Sequence, residues 1–292
     1  MVAQELDLTA LRRVYGRAGS RWFYTRVARN ARHWGWTEPG QSKWRLWRAQ
    51  RQLQDVLGHK LALPAGSRVL DAGCGAGVVA RAMATRFGLL VTGVDVLDFH
   101  LAEARRLSAR AALADRTDFH WGDYHELPFP DGGLDGGFDG GFDGAYSMET
   151  LVHSYHPARA LAEFHRVLRP GGRLVLLGPM STGPVDQLPA PARALLEPYL
   201  DAMAMGGALL YHAGTLPQLL AGAGFEVEES LDATPYYLPT TEAVHAYFRL
   251  PWELLRRLGD PARWLNLRST VEMYAVREHI AWYVHTAVKP PR

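Results

Sequence analysis

The 292-residue chain has a single cysteine, Cys74, so it cannot form an internal disulfide or a multi-cysteine zinc site. It also lacks any run of about 18 uncharged apolar residues, the length that a membrane-spanning helix needs. Arginines interrupt its first thirty residues, which argues against a secretory signal. These absences predict a cytoplasmic protein without stable membrane insertion.

The composition that remains is that of a globular protein, with 48% hydrophobic and 21% charged residues. It excludes disorder, collagen and coiled coil. The net charge is only +2, but residues 1–51 carry +8 and contain five of the nine tryptophans. This segment is either a solvated amphipathic face, a contact for an anionic ligand or a contact for a membrane surface. We expect no nucleic-acid partner, because the segment is expected to close a pocket and no Asn-Pro-Pro-Tyr type string for a flipped base is present.

Strands alternate with helices through most of the chain, a pattern that predicts an α/β fold. The sheet should be mostly parallel and wrapped by helices, with ligands at the carboxyl ends of its strands. Residues 179–213 and 231–279 are too long for plain connections, so we expect helices there that roof the site. Strands are predicted at 67–71, 89–95, 117–121, 142–147, 173–177, 225–229 and 280–288, and helices at 78–87, 100–113, 158–168 and 216–223.

A glycine-rich turn at residues 69–77 joins a predicted strand to a predicted helix. Its Gly-x-Gly-x-Gly spacing differs from that of dinucleotide enzymes, and Asp71 precedes it where a pyrophosphate would be repelled. Asp95 ends the second strand 18 residues after Gly77, in a position suited to accept from both ribose hydroxyls. Asp123 follows the third strand and is placed to accept from an adenine amino group. The pattern indicates a nucleoside ligand with a cationic part.

This ordered set resembles the class I S-adenosylmethionine-dependent methyltransferases, over roughly residues 60–180 and the closing strands. The resemblance implies a Rossmann-like sheet, S-adenosylmethionine as cofactor and S-adenosylhomocysteine as product. It places Asp71 and Gly73 by the amino-acid part of the cofactor. It places Asp95 and Val96 by the ribose, and Asp123 and Tyr124 by the adenine. Gly75 and Met148 complete the expected cofactor-binding set.

The segment at 144–154 follows the fourth strand, where the transferred methyl group is exposed. If Glu149 begins a helical turn, His153 faces the same way four residues later. Methyl transfer to an alkene carbon leaves a cation that needs negative charge, aromatic faces and a base. Two simpler roles remain open: Glu149 as a contact to the methionine end of the cofactor or as a helix cap, and His153 as a structural histidine.

The same segment, Tyr-Ser-Met-Glu-Thr-Leu-Val-His, resembles the Tyr-Ala-Ile-Glu-Ala-Thr-x-His string of sterol C-methyltransferases. Upstream, Phe23-Tyr24 and His33-Trp34-Gly35-Trp36 are similar to aromatic motifs of that family. Downstream, the stretch at 234–240, which contains Tyr236 and Tyr237, is also similar to an aromatic motif of that family. The resemblance implies a terpenoid double bond as the methyl acceptor.

Two further features bear on metals. His153 and His156 are three residues apart, but Pro157 follows and no third ligand is evident, so we expect no metal site. An Asp-Gly-Gly repeat at 131–144 is interpreted as a lengthened turn rather than a calcium site.

The sequence therefore predicts a C-methyltransferase of secondary metabolism that acts on a terpenoid, prenylated or sterol-like molecule. Glu149 would stabilise the cation, assisted by His153 and Tyr24. The acceptor is an apolar small molecule, with a prenyl diphosphate or prenylated natural product as candidates. The alternatives are an O- or N-methyltransferase, with His153 as base, and a non-catalytic cofactor-binding protein.

Further predictions concern a partner of the chain, the walls of the pocket and the division into domains. A second copy of the chain is a candidate partner through the aromatic amino-terminal segment. The predicted pocket walls are Trp34, Trp36, Tyr236 and Tyr237, and Arg17, Arg21, Arg26 and Arg29 are candidates to bind phosphates. The chain divides into a helical, aromatic and basic cap at 1–58, a core at 59–180, cap insertions at 181–213 and 231–279, a core helix and strand at 214–230 and a last strand at 280–292.

Overall fold

The computed structural model describes residues 8–132, 141–209, 211–258, 267–268, 271 and 273–291. Their central feature is a seven-stranded sheet with the order β3-β2-β1-β4-β5-β7-β6. β7 pairs antiparallel with β5 and β6, while the other neighbours are parallel. The strands are β1 (Arg68–Ala72), β2 (Leu90–Asp95), β3 (Thr117–Trp121), β4 (Phe142–Met148), β5 (Leu168–Ser181), β6 (Glu226–Asp232) and β7 (Ile280–Val288).

Helices cover both faces of this sheet, as the α/β pattern predicts. The two faces follow from the alternation of side chains along a strand: Val69 packs in one hydrophobic cluster and Leu70 in the other. The first cluster contains residues of α3, α4 and α5, and the second contains residues of α6 and α8. The helices are α1 (Leu8–Gly16), α2 (Ala18–Trp22), α3 (Leu46–Leu61), α4 (Val78–Phe87), α5 (Asp98–Arg110), α6 (Pro157–Val167), α7 (Ala190–Ala202), α8 (Leu216–Gly222) and α9 (Thr234–Leu258).

The predicted strands and helices of the core are present, with one clear difference in length. β5 runs from Leu168 to Ser181 rather than from 173 to 177, because Leu168 already pairs with Phe142 of β4 and Ser181 still pairs with Ile280 of β7. The helices expected in the two long connections are present as α7 and α9. Residues 133–140, most of the Asp-Gly-Gly repeat, lie outside the described residues.

The amino-terminal segment crosses the carboxyl ends of the strands. It contains α1, α2 and a π-helical turn at Phe23–Val27, and then runs irregularly to α3. α3 buries Leu53, Leu57 and Leu61 in the main core, and burying side chains of this size contributes about 1.5–3 kcal/mol each. The proposed cap at 1–58 therefore shares its last helix with the core. No helix in the described part of the chain is long and apolar enough to cross a membrane.

Candidate active site

The glycine-rich turn forms the floor of a cleft at the carboxyl end of β1. Gly73 and Gly77 have positive φ angles of 86° and 66°, which a residue with a side chain rarely adopts. Gly73 also needs to be small, because a Cβ there would lie 2.5 Å from the Thr150 hydroxyl oxygen. The turn is thereby fixed against the segment that follows β4.

Asp71 lies beneath this turn and is 3% exposed. Burial raises the pKa of its carboxyl to about 7, although the Tyr146 hydroxyl acts in the opposite direction. Its Oδ2 atom has no hydrogen-bond partner among the described residues. A buried carboxylate oxygen without a donor is costly, so the site fits a ligand that brings a cationic amino group.

Asp95 ends β2 on the opposite side of the turn. Its Oδ2 accepts from the Gly75 N–H at 2.9 Å, and its Oδ1 accepts from the Leu97 N–H at 2.9 Å. Burial opposes ionisation, but His100 and these N–H groups outweigh it and hold the pKa of Asp95 below its ordinary value. The carboxylate is therefore charged and oriented, as an acceptor for ribose hydroxyls must be.

Asp123 follows β3 and belongs to a buried hydrogen-bonded chain. Its Oδ1 accepts from the ring Nδ1 of His125 at 2.6 Å, and its Oδ2 accepts from the Tyr155 hydroxyl at 3.1 Å. The other ring nitrogen of His125 accepts from the Ser154 hydroxyl at 2.7 Å. His125 and Ser154 are 1% and 0% exposed. This series of hydrogen bonds joins the cofactor cleft to the end of the Glu149–Ser154 segment. In the sequence, only the spacing of Asp123 and His125 indicated it.

All eight predicted cofactor-binding residues line one cleft of about 900 Å³. Their convergence follows from the parallel sheet, whose strands end at a common edge. Sequence reasoning did not single out Tyr15, Arg32 and His100, which also line this cleft. The eight predicted residues are Asp71, Gly73, Gly75, Asp95, Val96, Asp123, Tyr124 and Met148.

Glu149 lies at the end of β4 and lines this cleft. It does not begin a helical turn as expected: its φ is +56°, and the following 3₁₀ turn is Leu151–His153. Its backbone N–H donates to the Leu177 carbonyl at 2.6 Å, and its side-chain Oε1 accepts from the Trp34 N–H at 2.9 Å. Burial raises the pKa of Glu149 to about 8, against the lowering effect of the Trp34 N–H. The side chain is therefore largely protonated at neutral pH.

His153 also reaches the cleft, and both of its ring nitrogens are engaged. Nδ1 lies 2.8 Å from the Ala204 carbonyl, which can only accept, so Nδ1 carries the hydrogen. Nε2 then accepts from the Tyr15 hydroxyl at 2.9 Å. Burial lowers the pKa of His153, although the Ala204 carbonyl opposes the shift. His153 is thus a neutral imidazole that is bound to the amino-terminal helix α1.

A second cavity of about 900 Å³ adjoins the cofactor cleft. The two share Tyr15, Arg32, His33, Glu149 and His153, and the remaining walls of the second cavity are mostly apolar. Such a cavity suits a hydrophobic small molecule with its reactive atom near Glu149. Its apolar and aromatic lining comprises Tyr15, Phe23, Tyr24, Ala28, Ala31, Trp34, Leu46, Val152, Pro179, Tyr199, Met203, Met205, Val244 and Phe248.

The structure separates the predicted aromatic residues into two groups. Tyr24 and Trp34 line the second cavity, and burial raises the pKa of Tyr24 to about 12, so its hydroxyl stays protonated. Trp36, Tyr236 and Tyr237 line neither cleft. Trp36 stacks on Tyr236 with ring centres 4.0 Å apart, and Tyr237 stacks on Trp282. Trp36 and Tyr237 are buried in the main hydrophobic cluster, and Tyr236 is partly buried against it.

The predicted phosphate-binding arginines are also placed elsewhere. Arg21, Arg26 and Arg29 are exposed, and none of them, nor Arg17, lines either cleft. Among the described residues, no group of three or more His, Cys, Asp or Glu side chains is arranged to hold a metal ion.

Comparisons with known proteins agree with this geometry. A family model described as a methyltransferase domain matches residues 70–176. The S-adenosyl-L-methionine-dependent Diels-Alderase iccD of Talaromyces variabilis is 31% identical over 99% of this chain and 97% of the relative. A sterol 24-C-methyltransferase of Saccharomyces cerevisiae is 29% identical over 78% of this chain and 57% of the relative, which confirms the resemblance to sterol methyltransferases. The solved [4+2]-cyclase SpnF has the same fold, with a TM-score of 0.74, 24% identity and coverage of 94% and 96% of the two chains.

Proposed function

Because the chain belongs to the S-adenosylmethionine-dependent methyltransferases, we propose that it methylates a carbon–carbon double bond of an apolar terpenoid or prenylated small molecule. The observation that supports this most is the position of Glu149, whose carboxyl group lies where the cofactor cleft meets the apolar cavity. A carboxylate at this junction would stabilise a positive charge that develops on the acceptor during methyl transfer.

S-adenosylmethionine is the cofactor of this family and supplies a methyl group on a positively charged sulfur. In the proposed arrangement, Asp71 binds its amino group, Asp95 its ribose hydroxyls and Asp123 its adenine amino group. Asp123 uses three of its roughly four acceptor positions on His125 and Tyr155, which leaves one for the adenine. The amino-terminal segment contributes Leu11, Tyr15 and Arg32 to the wall of the same cleft.

A bound cofactor would supply the methyl group to the acceptor's double bond: its sulfur–methyl bond would break as the new carbon–carbon bond forms, and a cation would be left on the acceptor. Glu149 stabilises this cation as a carboxylate, and the faces of Tyr24 and Trp34 shelter it. The cation then loses a proton to Glu149, and the double bond re-forms. The positive charge of a cofactor bound in the adjoining cleft would favour the ionised form of Glu149. In this scheme His153 and Tyr15, which are hydrogen-bonded to each other, form part of the wall against which the acceptor packs.

A second candidate is ring formation within a polyene, without methyl transfer. It is favoured by the relative and the solved structure named for that chemistry, which cover nearly the whole chain. The aromatic-walled cavity could hold a folded polyene with the Tyr24 hydroxyl as a hydrogen-bond donor.

The test is a turnover assay with methyl-labelled S-adenosylmethionine and a panel of sterols, prenyl diphosphates, prenylated aromatics and linear polyenes. Mass spectrometry and NMR locate the label. Label on a former alkene carbon, with one S-adenosylhomocysteine per product, supports the proposal. Label on oxygen or nitrogen overturns it, and a ring formed at constant mass without cofactor consumption supports the second candidate.

Glu149→Gln tests the residue itself. It keeps the size of the side chain and removes the negative charge, so C-methylation should fall by about 10²–10³-fold. Glu278→Gln is the matched control, because it removes one carboxylate from a side chain that is 79% exposed. Full activity of Glu149→Gln would contradict the cation mechanism.

A further inference from the structure

Arg32 lies at the junction of the two clefts and lines both of them. Its guanidinium lies over the ring of Tyr24, 4.9 Å from the ring centre, and its Nη1 donates to the Asn30 carbonyl at 3.3 Å. Its Nε atom is buried without a hydrogen-bond partner. It forms no ion pair with any residue that the structure describes. Arg32 is thus a cation inside the site that has no carboxylate within ion-pair distance among the described side chains.

A guanidinium keeps its charge at every physiological pH, so it cannot reduce the cost of burial by losing a proton. Tyr15 and Tyr24 lie close enough for the positive charge of Arg32 to oppose the rise in their pKa values that burial causes. Arg32 therefore combines a positive charge that affects neighbouring groups with an unpaired N–H. Together these provide a binding position for an anion.

The position of Arg32 indicates which anion this is. A Cβ atom on Gly75 would lie 3.5 Å from Nη1 and 3.6 Å from Cδ of Arg32, so the side chain lies directly over the glycine-rich turn. Asp71, at the other end of that turn, has a carboxylate oxygen without a donor. An α-amino acid carries an ammonium and a carboxylate on one carbon, and the two unpaired groups are complementary to that pair.

We infer that Arg32 binds the carboxylate of the methionine part of S-adenosylmethionine, opposite Asp71, which binds the ammonium group. The inference rests on the cofactor and not on the proposed acceptor. It predicts that the amino-acid end of the cofactor lies between the turn and the amino-terminal segment.

The inference also connects cofactor binding to the reacting end of the site. Trp34, two residues after Arg32, donates its backbone N–H to Glu149. Between them, His33 is fixed from both sides, since its carbonyl accepts from Gln50 at 3.0 Å and its ring Nε2 lies 3.1 Å from Gln54 Nε2. A carboxylate bound at Arg32 would therefore hold the same short segment that orients Glu149.

The experiment measures binding by calorimetry with the full chain and two probes, S-adenosylmethionine and decarboxylated S-adenosylmethionine. The unmodified protein should bind the first about 10–100-fold more tightly, as expected for one charged hydrogen-bonded pair. Arg32→Gln should lose this preference by binding S-adenosylmethionine more weakly while its affinity for the decarboxylated probe stays the same. The preference of Arg32→Lys for S-adenosylmethionine should lie between those of the unmodified protein and Arg32→Gln, because an ammonium cannot make the bidentate contact.

Arg29→Gln is the matched control, because Arg29 lies on the same segment but is exposed and stacks on Trp47, away from both clefts. It should leave both affinities unchanged. An equal loss for both probes in Arg32→Gln would show that Arg32 only maintains the fold, and no loss for either would show that its anion belongs to the acceptor. Either result overturns the inference. If Arg32→Gln does not fold, the comparison is made with Arg32→Lys. Because binding is measured without turnover, the result is independent of which acceptor is methylated.

Discussion

Replacing Glu149 by glutamine is expected to stabilise the cofactor-free protein at alkaline pH and to leave it unchanged at acid pH. The reason is the pKa of the buried carboxyl, which is about 8 in the folded protein and 4.5 in a free side chain. Between these values the folded state holds a proton that the unfolded state has released. The stability that Glu149 contributes is therefore complete below pH 4.5 and is lost as the pH rises to 8.

The magnitude follows from the width of that interval. At about 1.4 kcal/mol per pH unit, ionising Glu149 in the folded protein removes at most about 5 kcal/mol of stability. Glu149 lines an open cleft, where water screens part of this effect, so about 2–3 kcal/mol is the expected difference between Glu149→Gln and the unmodified protein at pH 9. For a chain of this size that corresponds to a rise in Tm of about 5 °C.

The assay is thermal unfolding between pH 5 and pH 9 for the unmodified protein, Glu149→Gln and the exposed-site control Glu278→Gln. The curve of Tm against pH should fall more steeply for the unmodified protein and for the control than for Glu149→Gln. Addition of S-adenosylmethionine should reduce the difference, because its positive sulfur favours the ionised carboxyl. Three parallel curves would refute the reasoning, since they would mean that Glu149 has an ordinary pKa.

Three further predictions concern the cofactor cleft. Burial raises the pKa of Asp71 to about 7, so affinity for S-adenosylmethionine should rise about tenfold from pH 6 to pH 8, and calorimetry should show no such rise in Asp71→Asn. Gly73→Ala should lower the free energy of unfolding, measured with urea, by about 3 kcal/mol, because its φ is +86° and its Cβ would meet Thr150. Gly40→Ala is the control: its φ is +80°, but a Cβ there meets open space, so the loss should be about 1 kcal/mol. His125→Gln should weaken cofactor binding about tenfold, because Asp123 loses its orienting partner. The control is His120→Gln, at an exposed position, which should leave the affinity unchanged. Equal affinities in the two variants would assign His125 a purely structural role.

The sheet and the cofactor cleft could be predicted because they follow from local patterns. Buried strands such as β1 and β2 are short apolar runs bounded by turn residues, and their order along the chain implies a parallel sheet. Once the sheet is parallel, its strand ends share one edge, so Asp71, Asp95 and Asp123 converge without any knowledge of side-chain packing.

The roof of the site could not be predicted in the same way, because it depends on how an irregular segment crosses the sheet. Trp34 and Trp36 are two residues apart, and the sequence gives no sign that the first faces the cavity while the second stacks on Tyr236. Tyr15 and Arg32 were missed for the same reason. Their neighbours in the fold, His153 and Gly75, are far away in sequence, so only the tertiary structure shows that they belong to the site.

Glu149 lines the cleft with a backbone conformation that the sequence analysis did not anticipate. The expected helical turn would have brought Glu149 and His153 together by periodicity. Instead, Glu149 has a left-handed backbone, which costs a non-glycine residue about 1–2 kcal/mol, and its N–H remains bonded to β5 at Leu177. A Cβ on Gly178 would lie 3.4 Å from the Cα of Glu149, an ordinary contact distance, so Glu149 lies close beside β5. The parallel pairing of β4 and β5 thus maintains the strain, and the strain directs the carboxyl group into the junction of the two clefts, where the proposed chemistry requires it.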